Sequence, residues 1–427
     1  MKTLFIIDSG MVRRRTVLGS VGGIAAAGLA GCLGDGGIFG GGDSVPEEAA
    51  RLWYARSDAE ARALEDDVET FNDETDHELY DEELAELEDG LTSSIPADDG
   101  PELFGWAHDW VGDFHERGFL YDVSGDLETD LEETFTEAAV EAVQFEDHLY
   151  GLPYAAETVA LLYNEELVEE PPETVDEMVE IMDDHHDPGA GAYGLSYPLD
   201  PYFISAWPHA FGGFYFDDET EELGLTQQET LDGFEFIVEN FWPYQPQDPD
   251  YDAQAAAFAD GNTPFAINGP WAVGDFSESV DVGVAPLPTP EGGEAAPYTG
   301  IQMWYFSSMM EEANDDRRDA ARAFVDWHTT HEEITLEMAE SHFFIPVQEE
   351  LIDHPDLPEE VQAYAETVEN GIPMPTNPRM NRVWDPVEDA FVNYLNEDQE
   401  LEEAFEEAEA EIRDGWDEQD DEDDGED

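Results

Sequence analysis

Aromatic side chains and carboxylates recur next to the predicted strands and turns of this sequence. They are Trp106, Asp109, Glu157, Asp200, Tyr202, Trp271 and Trp384. An aromatic face packs against the C–H faces of a pyranose ring, while carboxylates accept charge-assisted hydrogen bonds from its hydroxyl groups. The pattern therefore indicates a carbohydrate site, although burial in a core also explains any single tryptophan.

The stretch FAINGPWAVG, residues 265–274, holds one of these tryptophans on a stiff turn. Trp271 follows Asn-Gly-Pro, which the interior of a strand or a helix accommodates poorly. A core tryptophan needs only buried area, whereas a tryptophan at the mouth of a cleft needs a defined ring plane. We expect the Gly-Pro turn to supply that plane.

An alternating α/β framework is predicted to position these residues. Ala61, Leu64, Val68 and Phe71 recur at helical spacing after a short apolar run. Strands are predicted at 51–54, 102–106 and 158–163, and helices at 58–71, 174–182, 227–240, 252–259 and 316–328. Such alternation favours α/β lobes over a sandwich or a helical bundle. Ligands in such sheets lie beyond the carboxyl ends of the strands.

The charge of the chain is extreme for a folded protein. Its 427 residues are 41% hydrophobic, which predicts two to three domains with real cores, yet 108 acidic residues against 14 basic ones give a net charge of −94. At molar salt the Debye length falls to about 3 Å and screens this repulsion. The composition therefore predicts a halophilic protein and excludes nucleic acid as a partner.

The first residues predict export and a lipid anchor. Arg14 and Arg15 precede a Gly/Ala-rich apolar run, the order of a twin-arginine signal, and either Met1 or Met11 can be the start. The run ends Leu-Ala-Gly-Cys, which resembles a lipobox, and Cys32 is the sole cysteine. We therefore expect a signal at 1–31, a diacylated Cys32 and a Gly-rich tether at 32–46.

Three further segments are not predicted to form a functional site. The two adjacent histidines in the acidic segment 183–187 (DDHHD) are not predicted to hold a metal, because adjacent histidines rarely converge on one ion. The stripe Leu401, Phe405, Ala408 and Ile412 predicts an ordinary packed helix. Residues 414–427 are nearly all acidic and are predicted to be a solvated, disordered tail.

Six segments in order resemble a known family. They are GPELFGWAHDW, GLPYAAETVALLYNEEL, DPYFISAWPHAFGG, AAAFADGNTPFAINGPWA, GVAPLPTPEGG and GIPMPTNPRMNRVW, within residues 51–396. Together they resemble the maltose/maltodextrin-binding proteins of carbohydrate ABC importers, extracellular solute-binding proteins of family 1, here of a haloarchaeal type. The resemblance implies a two-lobed, periplasmic-binding-protein-like α/β fold of class II, with a hinge between lobes and a sugar in the cleft.

The resemblance assigns roles and also shows departures. It implies that Trp106 and Asp109 line the first lobe, that Glu157 lies near the hinge, and that the second lobe supplies stacking faces; these are Tyr202, Trp271 and Trp384. Asp58 stands near the position of the family's lysine, Trp110 replaces an arginine, and Asp200 replaces a glutamate. Two cationic donors are thus missing, so the ligand can differ from maltose in linkage or length.

The resulting hypothesis is a lipid-anchored receptor on the outer face of the cell membrane. It captures an oligosaccharide and presents it to ABC permease subunits as a monomer, without catalysis, metal or cofactor. The lobes are expected at 47–155 plus 300–348 and at 156–299 plus 349–413. A binder of another solute, such as a polyamine, and an exported glycoside hydrolase using Asp109 and Glu157 remain alternatives.

Overall fold

The computed structural model describes most of the chain after its first segment. It covers residues 45–56, 58–218, 220–352, 354–396 and 398–426, while the side chains of Asp58 and of residues 418–426 lie outside the description. The predicted signal, Cys32 and most of the predicted tether also lie outside the described residues.

Strands and helices alternate through much of the described chain, as predicted. The strands are β1 (Ala50–Tyr54), β2 (Leu79–Glu83), β3 (Leu103–Ala107), β4 (Gln144–Phe145), β5 (His148–Leu149), β6 (Gly151–Glu157), β7 (Ala160–Asn164), β8 (Leu195–Ser196), β9 (Phe216–Asp217), β10 (Glu222–Leu223), β11 (Phe265–Asn268), β12 (Val282–Ala285), β13 (Tyr298–Phe306) and β14 (Ile372–Pro373). The helices are α1 (Asp58–Glu74), α2 (Leu87–Ser94), α3 (Val111–Glu116), α4 (Leu131–Thr134), α5 (Glu137–Ala142), α6 (Val175–His185), α7 (Pro201–Ile204), α8 (Ala206–Ala210), α9 (Gln228–Asn240), α10 (Tyr251–Ala259), α11 (Val273–Ser277), α12 (Asp315–Thr330), α13 (Glu332–His342), α14 (Glu359–Asn370), α15 (Trp384–Leu395) and α16 (Leu401–Glu426). Within the described part of the chain, no helix is both long and apolar enough to span a membrane.

A mixed sheet organises what we call the first lobe. Its strand order is β14-β13-β3-β1-β2, with β6 also paired to β13. The strand β1 runs parallel to β2 and β3, whereas β13 runs antiparallel to β3 and β6. Leu64, Val68 and Phe71 of α1 are buried in its core, which confirms the predicted apolar face of that helix.

A second sheet, of order β12-β7-β11-β8, organises what we call the second lobe. The strand β11 is antiparallel to β7 and parallel to β8. Phe265 and Ile267 of β11 lie in one core cluster with Trp207 of α8 and Phe234 of α9. The last helices, α15 and α16, pack together and contribute to the same cluster.

The chain passes between the two sheets in neighbouring segments. It leaves the first sheet at Glu157 and enters the second at Ala160, then returns between Ala285 and Tyr298. These crossings touch, because the Thr158 hydroxyl donates to the Tyr298 carbonyl oxygen at 3.0 Å. Paired strands that link two lobes in this way are suited to act as a hinge.

The final helix differs from the prediction for the end of the chain. The helix α16 continues to Glu426, so residues 414–426 are helical rather than disordered. The buried Trp416 explains part of the difference, because its indole Nε1–H donates to the Arg379 carbonyl oxygen at 2.9 Å. Acidic composition alone did not reveal this anchor inside the predicted tail.

Candidate ligand-binding site

The turn after β3 fixes the first carboxylate of the site. The 3-10 helix His108–Trp110 follows β3 directly and leads into α3. The buried His108 ring anchors this turn, because the Ile301 backbone N–H on β13 donates to its Nδ1 at 3.1 Å. Burial lowers the pKa of His108 to about 4, so the ring is neutral at neutral pH. Asp109 is thereby held at the carboxyl end of β3.

The buried Asp109 and the partly buried Glu157 form a carboxyl pair within electrostatic reach of each other. Asp109 is 5% exposed, and its Oδ1 atom has no hydrogen-bond partner among the described residues. Burial and the nearby charge of Glu157 raise the pKa of Asp109 to about 7. Burial likewise raises the pKa of Glu157 to about 7. Both groups therefore titrate near neutral pH and present acceptors that the protein itself leaves partly unused.

The second lobe places Tyr202 and Asp200 beside this pair. Asp200 caps α7, since its Oδ1 accepts from the Tyr202 backbone N–H at 2.8 Å, and burial raises its pKa to about 6. Burial together with the charges of Glu157, Asp109 and Asp200 holds the pKa of Tyr202 far above its ordinary value. The structure therefore brings these four sequence-predicted residues together across the two lobes. Asp200 additionally has a structural role that its sequence position did not reveal.

Trp271 lies next to Tyr202, on the turn that the sequence singled out. The ring centroids of Trp271 and Tyr202 are 6.5 Å apart, and Trp271 packs edge-on against Phe203 at 6.0 Å. A Cβ atom at Gly269 would lie 2.2 Å from the Trp271 ring. The glycine therefore makes room for the indole to fold back over its own turn, which sets the ring plane.

The remaining predicted aromatics form separate contacts. Trp106 and Trp110 are partly buried and pack edge to face with centroids 6.2 Å apart. Trp384 is buried at the first residue of α15, rather than on an open turn, and packs edge-on against Tyr298 at 5.7 Å. Asp58 begins α1, but its side chain lies outside the described residues.

One cation that the sequence did not single out, Arg56, lies beside Tyr154 of β6. The Arg56 guanidinium lies 5.0 Å from the Tyr154 ring centroid, 5.1 Å from that of Trp304 and 5.4 Å from that of Phe344. Its Nη1 and Nη2 atoms are buried, and its charge interacts with the Tyr154 hydroxyl group. An arginine two residues after β1, in a chain with so few cations, is a signal that could have found it.

The chemistry of this arrangement suits an uncharged, polyhydroxylated ligand. Carboxylates from the first lobe accept hydrogen bonds, and aromatic rings from both lobes offer apolar faces. Groups of three or more potential metal ligands with suitable geometry are not found within the described residues. The adjacent His185 and His186 instead bond to backbone groups, the Ile181 carbonyl and the Gly194 N–H respectively.

Comparison with known proteins agrees with this geometry. The model of the family described as "Bacterial extracellular solute-binding protein" matches residues 68–367. A maltotriose-binding protein of Pyrococcus abyssi (strain GE5 / Orsay) is 40% identical over 329 residues, 75% of this chain and 72% of that protein.

Solved structures agree as well. The Thermus thermophilus maltotriose-binding protein bound with maltotriose has a TM-score of 0.77 and 27% identity, covering 86% of this chain and 99% of that one. A cyclo/maltodextrin-binding protein complexed with maltotetraose has a TM-score of 0.73 and 26% identity, covering 87% and 98%. These structures confirm the predicted two-lobed, periplasmic-binding-protein-like fold.

Proposed function

The chain belongs to the bacterial extracellular solute-binding proteins, and from that premise we propose that it is the receptor of a carbohydrate ABC importer. Its ligand is an oligosaccharide of the maltodextrin type, bound between the lobes and delivered to the permease subunits. The ligands of the relatives, maltotriose and maltotetraose, support this choice.

One observation carries the proposal. The carboxyl groups of Asp109, in the first lobe, and Glu157, at the crossing between the lobes, meet an aromatic group from the second lobe, and the Tyr202 hydroxyl lies in the field of both. We assign ligand contacts to the predicted residues of both lobes, which are Asp58, Trp106, Asp109, Trp110, Glu157, Asp200, Tyr202, Trp271 and Trp384. To these we add Arg56, which supplies a cationic donor beside Tyr154.

Ligand capture closes the lobes about the paired crossings. Contacts to both lobes favour the closed arrangement over the open one, so binding and closure are one equilibrium. We place the lobe boundaries at 47–155 plus 300–348 and at 156–299 plus 349–413. The first crossing, which leaves the first sheet at Glu157 and enters the second at Ala160, lies close to the proposed boundary at 155/156 and supports a division there.

Export and anchoring complete the proposal. A twin-arginine signal at 1–31 directs export, a diacylated Cys32 anchors the mature protein at the outer face of the membrane, and residues 32–46 form the tether. The net charge of −94 fits a monomer that works in concentrated salt. The receptor performs no catalysis and needs no cofactor or metal.

Calorimetric titration of the purified protein in multimolar salt tests the function. Maltotriose, a galacto-oligosaccharide and spermidine are titrated in turn into the wild-type protein. The same titrations are repeated with Trp271→Ala and with the control variant Trp242→Ala. We expect saturable maltotriose binding that Trp271→Ala weakens and Trp242→Ala preserves, because Trp242 lies in the 3-10 helix Trp242–Tyr244, which contributes none of the proposed contact residues.

Two outcomes contradict this proposal. Binding of spermidine without any sugar would assign a cationic ligand to the same fold. Release of glucose or maltose from maltotriose during incubation, detected by chromatography, would make the Asp109 and Glu157 pair catalytic and remove the receptor function.

A further inference from the structure

The central strand β13 carries one polar side chain that is not buried. Along its sequence YTGIQMWYF, every residue is buried except Gln302. The Gln302 side-chain Nε2–H donates to Glu157 Oε2 at 2.8 Å. A polar residue in an otherwise buried strand therefore faces a carboxylate of the candidate site.

The amide of Gln302 is itself oriented by Tyr154. The Tyr154 hydroxyl donates to Gln302 Oε1 at 3.2 Å, which directs the NH2 group of the amide toward Glu157. The pairing of β6 with β13 shifts at this point, since Gln302 lies opposite Ala155 and Met303 lies opposite Pro153. Tyr154 is the extra residue of this β-bulge, a feature that redirects side chains beside functional sites.

Gly300, two residues before Gln302, lets Glu157 reach the amide. Gly300 and Glu157 lie directly opposite each other in the β13–β6 ladder. A Cβ atom at Gly300 would lie 2.6 Å from Glu157 Oε1, so the carboxyl group occupies the space that a side chain would need. The Glu157 side chain therefore lies over β13 and turns along the strand toward Gln302.

We propose that Gly300, Gln302 and Tyr154 form a seat that positions Glu157 for the ligand, with Gln302 as its key positioning residue. The proposal rests on the proposed function, because it takes Glu157 to be a ligand-contacting group. One carboxylate oxygen is held by the seat, which leaves the rest of the group to accept hydrogen bonds from a sugar hydroxyl.

The seat also favours the charged form of Glu157, against surroundings that disfavour it. The hydrogen bond from Gln302 lowers the pKa of Glu157, opposing burial and the charge of Glu60. The charged or titratable groups around Glu157 are Glu60 on α1, Asp109 after β3, Tyr154 on β6, Tyr202 on α7 and, beyond Tyr154, Arg56 after β1. Loss of the amide donor should therefore move the protonation of Glu157 to higher pH.

The test compares Gln302→Leu and Tyr154→Phe with the wild type. Maltotriose affinity is measured by calorimetry in multimolar salt from about pH 5 to 9. We expect Gln302→Leu to raise Kd about 10- to 100-fold at neutral pH, the loss of one hydrogen bond to a charged group, and to move the acid loss of affinity to higher pH. Tyr154→Phe should raise Kd about 2- to 10-fold, since the amide stays but loses its orientation.

Gln228→Leu is the matched control, because that exposed glutamine also donates to a carboxylate, Asp232, at 2.6 Å. It should leave both Kd and the pH profile unchanged. If Gln302→Leu fails to fold, as circular dichroism would reveal, Tyr154→Phe decides the question.

If the wild type binds maltotriose and both variants bind it with the same Kd and the same pH profile as the wild type, the seat is overturned while the proposed function stands. A wild type that binds no oligosaccharide would overturn the proposed function and the seat with it. A raised Kd with an unmoved pH profile would also overturn the seat, because it would mean a purely structural role for Gln302.

Discussion

Replacing Gly112 with alanine should weaken ligand binding, although the new methyl group is not expected to contact the ligand. Gly112 is buried in α3 of the first lobe, one turn after the candidate site residue Asp109. A Cβ atom there would lie 2.3 Å from the Thr376 carbonyl oxygen and 2.7 Å from Pro378 Cδ. These atoms belong to a segment that leads into the core of the second lobe through Met380. The glycine is therefore a point of close approach between the lobes.

The size of the effect follows from that overlap. Ordinary contact begins at 3.4 Å, so the methyl group and the carbonyl oxygen must separate by about 1.1 Å. The segment is held in place, because Asp218 accepts from the backbone N–H groups of Thr376 and Asn377. Such overpacking costs about 1 to 3 kcal/mol. If the closed arrangement alone bears this cost, Kd rises about 5- to 150-fold.

The assay pairs calorimetric Kd with small-angle scattering of the maltotriose-saturated protein. Gly274→Ala is the control, because nothing lies within 4 Å of its Cβ position in α11. We expect Gly112→Ala to raise Kd and enlarge the saturated particle while its ligand-free unfolding temperature stays unchanged. Equal Kd for the two variants, or a lowered ligand-free unfolding temperature without a change in Kd, would refute the assignment of Gly112 to a closing contact.

Three further predictions concern the platform, the buried acid and the last helix. Gly269→Ala should displace the Trp271 ring, whose atoms lie 2.2 Å from the new Cβ, and weaken maltotriose binding, whereas Gly274→Ala should not; equal affinities would contradict this. Burial raises the folded-state pKa of Asp109 to about 7, so stability in multimolar salt should fall as pH rises from about 4 to about 7. In calorimetric unfolding, the stability of Asp109→Asn should fall less steeply with pH than that of the wild type. An unchanged dependence of stability on pH would show that Asp109 does not have a raised pKa in the folded protein. Trp416→Ala should cost about 3 to 5 kcal/mol of unfolding free energy in denaturant, and a cost near zero would mean that α16 is not anchored by this side chain.

Local sequence patterns were sufficient where one element determines the answer. The apolar run at 51–54 and the spacing of Leu64, Val68 and Phe71 predicted β1 and α1, because periodicity reports a buried face directly. The Gly-Pro turn predicted that the Trp271 plane would be fixed, and the closeness of its ring to Gly269 gives the physical reason.

Long-range pairing was beyond those patterns. The strands β6 and β13 lie about 140 residues apart in sequence and were not predicted, although β13 is a central strand of the first lobe's sheet. Gln302 acquires its role only through that pairing, since Glu157 and Tyr154 reach it from β6. Likewise, Arg56 looked like an ordinary residue after a strand until Tyr154 and Trp304 were placed around it.

The distribution of cations argues for the charge of the ligand. Elsewhere the chain pairs buried acid with arginine: Glu102, 1% exposed, is bound by both Arg51 and Arg317. Neither Asp109 nor Glu157 is paired with an arginine among the described residues. The Gln302 amide donates to Glu157, and the Oδ1 atom of Asp109 accepts no hydrogen bond there.

A polycation would need both of these carboxyl groups ionised, which burial opposes at neutral pH, and its attraction would be screened in concentrated salt. Sugar hydroxyls can donate to a carboxylate and still accept from a protonated carboxyl group, so partial protonation of the pair weakens sugar binding less than it weakens the binding of a polycation. Affinity for maltotriose should therefore change little between about 1 and 4 M salt, provided that the protein stays folded. A steep loss of affinity across that range would show that charge, rather than hydrogen bonding and stacking, holds the ligand.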